Sequence, residues 1–135
     1  MGSYVTPDPS FLKLSGQAAE GYVFGAVFPL TDADNQGVAR YTQTMQKYEP
    51  QTVIGVLNEW AYASAETFAQ VLRLAGRDLT RSRLIAAAET LKDWSGDVAR
   101  NVTFSPTDHR GMTSIFLVQV KDGKLIQVAG YRAAS

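Results

Sequence analysis

Residues 102–128 read VTFSPTDHRGMTSIFLVQVKDGKLIQV. The second half of this stretch carries two apolar runs, SIFLVQV and LIQV, on either side of Lys121-Asp122-Gly123-Lys124. An Asp-Gly pair tolerates the positive φ angles of a tight turn whose twist matches paired strands, so the spacing predicts an antiparallel hairpin turning at Asp122 and Gly123. The first half holds the only histidine, His109, between Asp108 and Arg110. Whether TDHR is chemistry or a turn decides whether the chain reads as an enzyme.

An imidazole oriented by a carboxylate can serve as a general base near neutral pH. Adjacent residues seldom reach that geometry, however, and no serine or threonine is marked as a nucleophile by a strained strand-to-helix turn. As metal ligands, Asp108 and His109 supply two groups where about three or four are needed. The preferred reading is a turn built from Ser105, Pro106, Asp108 and Gly111, with Asp108 accepting backbone amides and Arg110 in solvent or paired to a carboxylate. A small hydrolase using Asp108 and His109 is the less favoured alternative.

Working outward, 135 residues with 45% apolar content suffice for one core-bearing domain. The balance of 13 basic and 13 acidic side chains offers no footprint for neutralising many phosphates, so nucleic acid is not an expected partner. The absence of cysteine removes disulfides and thiolate chemistry and leaves the compartment open. No phosphate-binding glycine spacing occurs, and no cofactor is implied. The start MGSYVTPDPS shows neither a signal peptide nor a membrane anchor, and its MGS resembles an expression scar, so the natural start is expected to lie upstream.

The proline-broken beginning predicts a short strand at residues 4–6, then a turn and a small helical piece. GYVFGAVF carries apolar residues on both parities, as in a strand of a parallel sheet covered on both faces. Val38, Tyr41, Met45 and Tyr48 follow the helical period behind possible N-caps at Asp32, Asp34 and Asn35. A second helix lines Ala61, Ala65, Phe68, Leu72 and Ala75 on one face and stops at Gly76. Thr80 can cap a third, running to Trp94, with Leu84, Ile85, Ala88 and Leu91 as its stripe. At the second helix's entrance Asn58, Glu59, Trp60 and Tyr62 gather where free amides suit an anionic group such as a ligand carboxylate. A plain capped helix with two half-buried aromatics explains the same residues.

The ordered set SGQAAEGYVFGAVFPL, then YEPQTVIGVLNEWAYASAETFAQVLRLAGRDLTRSRLIAAAETL, then the opening stretch, closely resembles the C-terminal part of the type I periplasmic solute-binding proteins of branched-chain amino acid ABC transporters. One departure is that Ala61-Tyr62-Ala63-Ser64 lacks the family's glycine and aspartate around the tyrosine. The resemblance implies an α/β fold with parallel-sheet, Rossmann-like layers, helices on both faces and a C-terminal antiparallel hairpin. It implies hinge crossings at residues 26–29 and 113–118, with residues 1–28 and 113–131 from one lobe and 29–112 from the other. Neither lobe would be complete. It further implies a periplasmic protein without catalytic residues or metal, serving a membrane permease. Its ligand would be a small amino acid or related carboxylate, contacted through Tyr4 and Leu57 with Asn58 and Trp60 beside them. A self-associating fragment that covers unfinished sheet edges with a second copy is the structural alternative.

Overall fold

The computed structural model describes residues 8–133, so the strand expected at residues 4–6 lies outside the described residues. Helix α1 (Pro9–Ser15) and a one-turn 3-10 helix (Gly16–Ala19) lead to strand β1 (Val23–Ala26). Helices α2 (Gln36–Tyr48), α3 (Val56–Ala75) and α4 (Arg81–Ala88) follow. Strands β2 (Thr103–Ser105), β3 (Asp108–Gly111), β4 (Ser114–Lys121) and β5 (Lys124–Ala133) complete the described chain.

The terminal hairpin forms where the Asp-Gly pair places it. Asp122 and Gly123 take φ of 52° and 70°, and Lys121 pairs with Lys124 across the turn. The Glu20 carboxylate accepts both turn amides, at 2.9 Å from Asp122 and 3.3 Å from Gly123. Along β4, Ser114, Phe116, Val118 and Val120 are buried and alternate with more exposed residues. That is the period of a strand with one face on a core.

Strand β1 corrects the parallel expectation. Phe24, Gly25 and Ala26 are buried on both parities as predicted, but the ladder partner is β4, antiparallel, with Phe24 opposite Val118. The sheet order is β1-β4-β5, and among the described strands every pairing is antiparallel. Double-sided burial arises here without parallel neighbours: Phe11 of α1 meets Phe24 edge-on at 5.3 Å, and Ile115 lies against Gly25 on the other face.

Two apolar clusters result. One joins Ala19, Phe24, Ala26, Phe116, Val118 and Val120. The larger one draws Val27 and Phe28, just beyond β1, together with Tyr41, Val56, Ala63 and Leu91. The chain thus leaves the first cluster at Ala26 and enters the second at the next residue.

Helix α2 starts at the third of its three possible caps: Asn35 accepts the Val38 amide at 2.8 Å, a contact that typically contributes about 1 kcal/mol. Helix α3 begins earlier than its polar residues suggest, and its buried face differs from the expected one. Val56, Glu59, Ala63 and Val71 point inward, whereas Ala61, Ala65 and Phe68 are exposed. The inward face carries two acids that interrupt the apolar period. Of these, Glu66 accepts the amides of Asp97, Val98 and Ala99 at 2.6, 3.0 and 2.6 Å. Asp97 in turn accepts Arg40 at 2.6 Å and the Tyr62 hydroxyl at 3.0 Å, fastening α2 and α3 to the same loop.

Helix α4 is capped by Thr80, which accepts the Arg83 amide at 3.2 Å, but it ends at Ala88 rather than Trp94. The Thr90 hydroxyl bonds the Ala87 carbonyl at 2.7 Å, and Leu91 turns into the larger cluster while its carbonyl accepts Phe104. Trp94 then bridges Val102.

Candidate functional site

The entrance of α3 is where parts of both clusters meet. A helix start presents backbone amides without intrahelical acceptors and a partial positive charge. Here a carboxylate of the chain itself answers it. Asp8 caps α1 by accepting the Ser10 amide at 2.9 Å, and its second oxygen accepts the Val56 amide at 3.1 Å. Gly55 permits that approach, since a Cβ there would lie 2.2 Å from Asp8 Oδ2. Its φ of −163° is open to any residue, so space and not backbone freedom demands the glycine. Burial opposes ionisation of Asp8, yet the hydrogen bonds from Ser10 and Val56 outweigh it and hold the carboxyl below its ordinary range.

One turn further, Glu59 is only 4% exposed, and its Oε1 has no hydrogen-bond partner among the described residues. Burial, with the Asp8 charge adding to it, pushes its carboxyl up to about 8. An unanswered buried polar atom typically costs about 1–3 kcal/mol. The Tyr41 hydroxyl is likewise buried without a partner among the described residues, and burial followed by the Glu59 charge raises its pKa. Tyr131 donates to the Val27 carbonyl at 3.2 Å, and burial is the chief cause that pushes it up to about 12.

Glu59 faces a cavity of about 190 Å3 lined by Leu12, residues 26–32, Gly55, Val56 and residues 123–125. Its walls therefore come from α1, the segment leaving β1, the α3 entrance and the terminal hairpin. A second, apolar groove of about 440 Å3 runs between α3, α4 and the β2–β3 pair, with Trp60, Phe68, Ile85 and Phe104 among its walls.

Of the residues expected to touch ligand, Tyr4 lies outside the described residues. Leu57, Asn58 and Trp60 share the first turns of α3 but do different things. Leu57 is 70% exposed. Asn58 turns back and its Oδ1 accepts the Gly55 amide at 3.1 Å, completing the cap. Trp60 stacks edge-on against Phe28 at 5.2 Å and belongs to the apolar groove rather than the smaller cavity. The free amides expected for an anion are thus partly taken by Asp8 and Asn58. Asp8 is the residue of this site that composition and period did not single out, and Glu59, named at the helix entrance beside an expected anion, is instead a buried acid. The proline-broken beginning predicts a small helical piece, but the reach of Asp8 to Val56, 48 residues away, has no local signature.

The TDHR stretch is a structural turn and strand. Ser105 Oγ accepts the Asp108 amide at 3.0 Å. Arg110 clasps Asp108 through Nη2 at 2.7 Å and Nε at 3.0 Å, and this holds the Asp108 carboxyl down at about 2. His109 instead meets Glu89 at 3.0 Å and is more than half exposed. Asp108 and His109 are not brought together as acid and base. Among the described residues no group of three His, Cys, Asp or Glu could hold a metal ion, and no helix is long and apolar enough to cross a membrane.

A family model described as "Periplasmic binding protein" matches residues 1–124. No curated protein matches the sequence. Among solved structures, a branched chain amino acid ABC transporter protein from Thermus thermophilus with bound valine shares 19% identity at a TM-score of 0.80, covering 99% of this chain and 39% of that one. A fatty acid ABC transporter substrate-binding protein from Thermomonospora curvata matches at 17% identity and a TM-score of 0.80, covering 98% of this chain and 36% of its own. A leucine-binding protein from Thermotoga maritima matches at 16% identity and 0.65, covering 90% and 33%. The chain therefore spans about a third to two-fifths of the length of these structures.

Proposed function

The chain belongs to the periplasmic binding protein family, and on that premise we propose that it is a substrate-binding component of an ABC transporter, or part of one. Its ligand in this reading is a small amino acid or related carboxylate, delivered to a membrane permease in the periplasm. The observation that carries it is the α3 entrance. There a cavity walled by elements of both apolar clusters adjoins the first turn of the longest helix.

In this reading residues 1–28 and 113–131 belong to one lobe and residues 29–112 to the other, with residues 26–29 and 113–118 as hinge crossings. Ligand contacts fall to Tyr4, Leu57, Asn58 and Trp60. Contacts made only when the lobes close would shift the population toward the closed state. No residue is assigned a catalytic role. Since the chain holds pieces of two lobes, it should bind ligand by itself far more weakly than a complete clamp. Calorimetric titration with L-leucine and L-valine tests this: affinity no better than millimolar is expected, and micromolar affinity for the chain alone contradicts the divided-clamp reading.

The apolar groove favours a second reading, self-association. Phe68 and Ile85 on its walls are 54% and 42% exposed, and a second copy laid across it would remove them from water. Light scattering at high protein concentration decides: a dimer supports this reading and a monomer rejects it.

A further inference from the structure

We propose that the cavity beside the α3 entrance is a receptor for a small aliphatic ammonium group, with the buried carboxyl of Glu59 as the residue that reads it. This deepens the binding reading above and rests on it.

An anion is the usual guest of a helix start, but Asp8 already takes the Val56 amide and Asn58 the Gly55 amide. The group left over is Glu59 Oε1, buried and without a partner among the described residues, on a residue that lines the cavity. A carboxylate accepts and never donates, and its strongest complement is a charged N–H donor. Two acids, Asp8 and Glu59, line or adjoin the space, and the exposed Asp32 adds a third. Among the described lining residues Lys124 is the one cation, and it is exposed to solvent, which screens it. Leu12, Val27, Phe28, Leu30 and Leu125 supply apolar walls for a short aliphatic body.

The remaining groups coupled to Glu59 set how binding depends on pH. The charge of Asp8, the cap of α1, acts on Glu59, and Tyr41 of α2 and Tyr131 of β5 feel the Glu59 charge. Both tyrosines have raised pKa values and stay neutral around pH 7, and Asp8 is ionised there. Glu59 is thus the wall group that changes charge between pH 6 and 9. An ammonium guest favours its ionised form, so binding releases a proton below about pH 8.

The test follows the amide NMR shifts of Gly55, Val56 and Glu59 during titration with isobutylammonium chloride, sodium isovalerate and L-leucine. Isobutylammonium should bind about tenfold more tightly per pH unit on approaching pH 8 and level off above it. Isovalerate should bind more weakly at every pH, and Glu59→Gln should weaken isobutylammonium by about tenfold or more and flatten its pH profile. Equal isobutylammonium binding by wild type and Glu59→Gln overturns the proposal, as does tighter isovalerate binding or no isobutylammonium shift at pH 9. Should the variant fail to fold, a flat wild-type profile overturns it alone. L-leucine binding at the α3 entrance that is indifferent to Glu59→Gln would overturn this inference while leaving the broader binding reading standing.

Discussion

The carboxylate of Asp8 accepts the amide of Val56 at 3.1 Å across 48 residues of sequence, so the cap of the first helix also caps the longest one. Gly55 exists to let it in. Gly55→Ala should push the Asp8 carboxylate away and cost about 1 kcal/mol, the usual worth of an N-cap. In an Asp8→Ala background the same change should cost close to nothing, because the contact is already gone. A urea-unfolding double-mutant cycle measures that non-additivity.

Glu66 binds three consecutive amides at 2.6 to 3.0 Å, and a Cβ at Gly96 beside them would fall 2.3 Å from the Glu66 carboxylate. Glu66→Ala strands those partly buried donors and should cost about 3 kcal/mol or more. Gly37→Ala should also destabilise, since its Cβ would fall 2.3 Å from the Asp97 carbonyl oxygen, a backbone atom with little freedom to retreat. Chemical denaturation of both variants, with unchanged slope, checks the attribution.

Glu59 titrates in the folded chain near 8, against an ordinary value of 4.5. Between these values the unfolded chain has released its proton and the folded chain still holds it, so this group makes stability fall as pH rises from about 4.5 to 8 and stay level above. The total is on the order of a few kcal/mol. Glu59→Gln, neutral at every pH, should remove the slope and be more stable than wild type at pH 8. Asp8 acts oppositely: its lowered pKa contributes stability that is present above its unfolded value and lost as pH falls through its folded one. Thermal unfolding carried from about pH 2 to pH 9 separates the two.

What could be read along the chain was what local chemistry decides. The Asp122-Gly123 turn, the Asn35 and Thr80 caps and the helical stretches follow from residues within a few positions of one another. The inward face of α3 did not, because Glu59 and Glu66 occupy it and the apolar period points instead toward the groove holding Phe68. Glu66 is held by loop amides some thirty residues downstream, and the helix start is capped by Asp8 from 48 residues upstream. The antiparallel partner of β1 was hidden for a related reason. Apolar residues on both parities report two covered faces, and say nothing of strand direction. At the α3 entrance the sequence marks Leu57, Asn58, Glu59 and Trp60, but neither the burial of Glu59 nor the reach of Asp8 to Val56.

His109 touches Glu89 at 3.0 Å from an exposed position, and such pairs are typically worth less than about 1 kcal/mol. His109→Ala should therefore shift stability by no more than that and leave ligand binding as it was. Esterase or amidase activity abolished by this substitution would revive the hydrolase alternative.

The proposed site for ligand is the entrance of α3, between the two apolar clusters. The most direct measurement is an amide NMR titration of the chain with L-leucine. Weak, saturable shifts concentrated in residues 55–60 and 26–29 are expected. Saturable shifts confined to β2 and β3 around His109, with the α3 entrance unmoved, would contradict it.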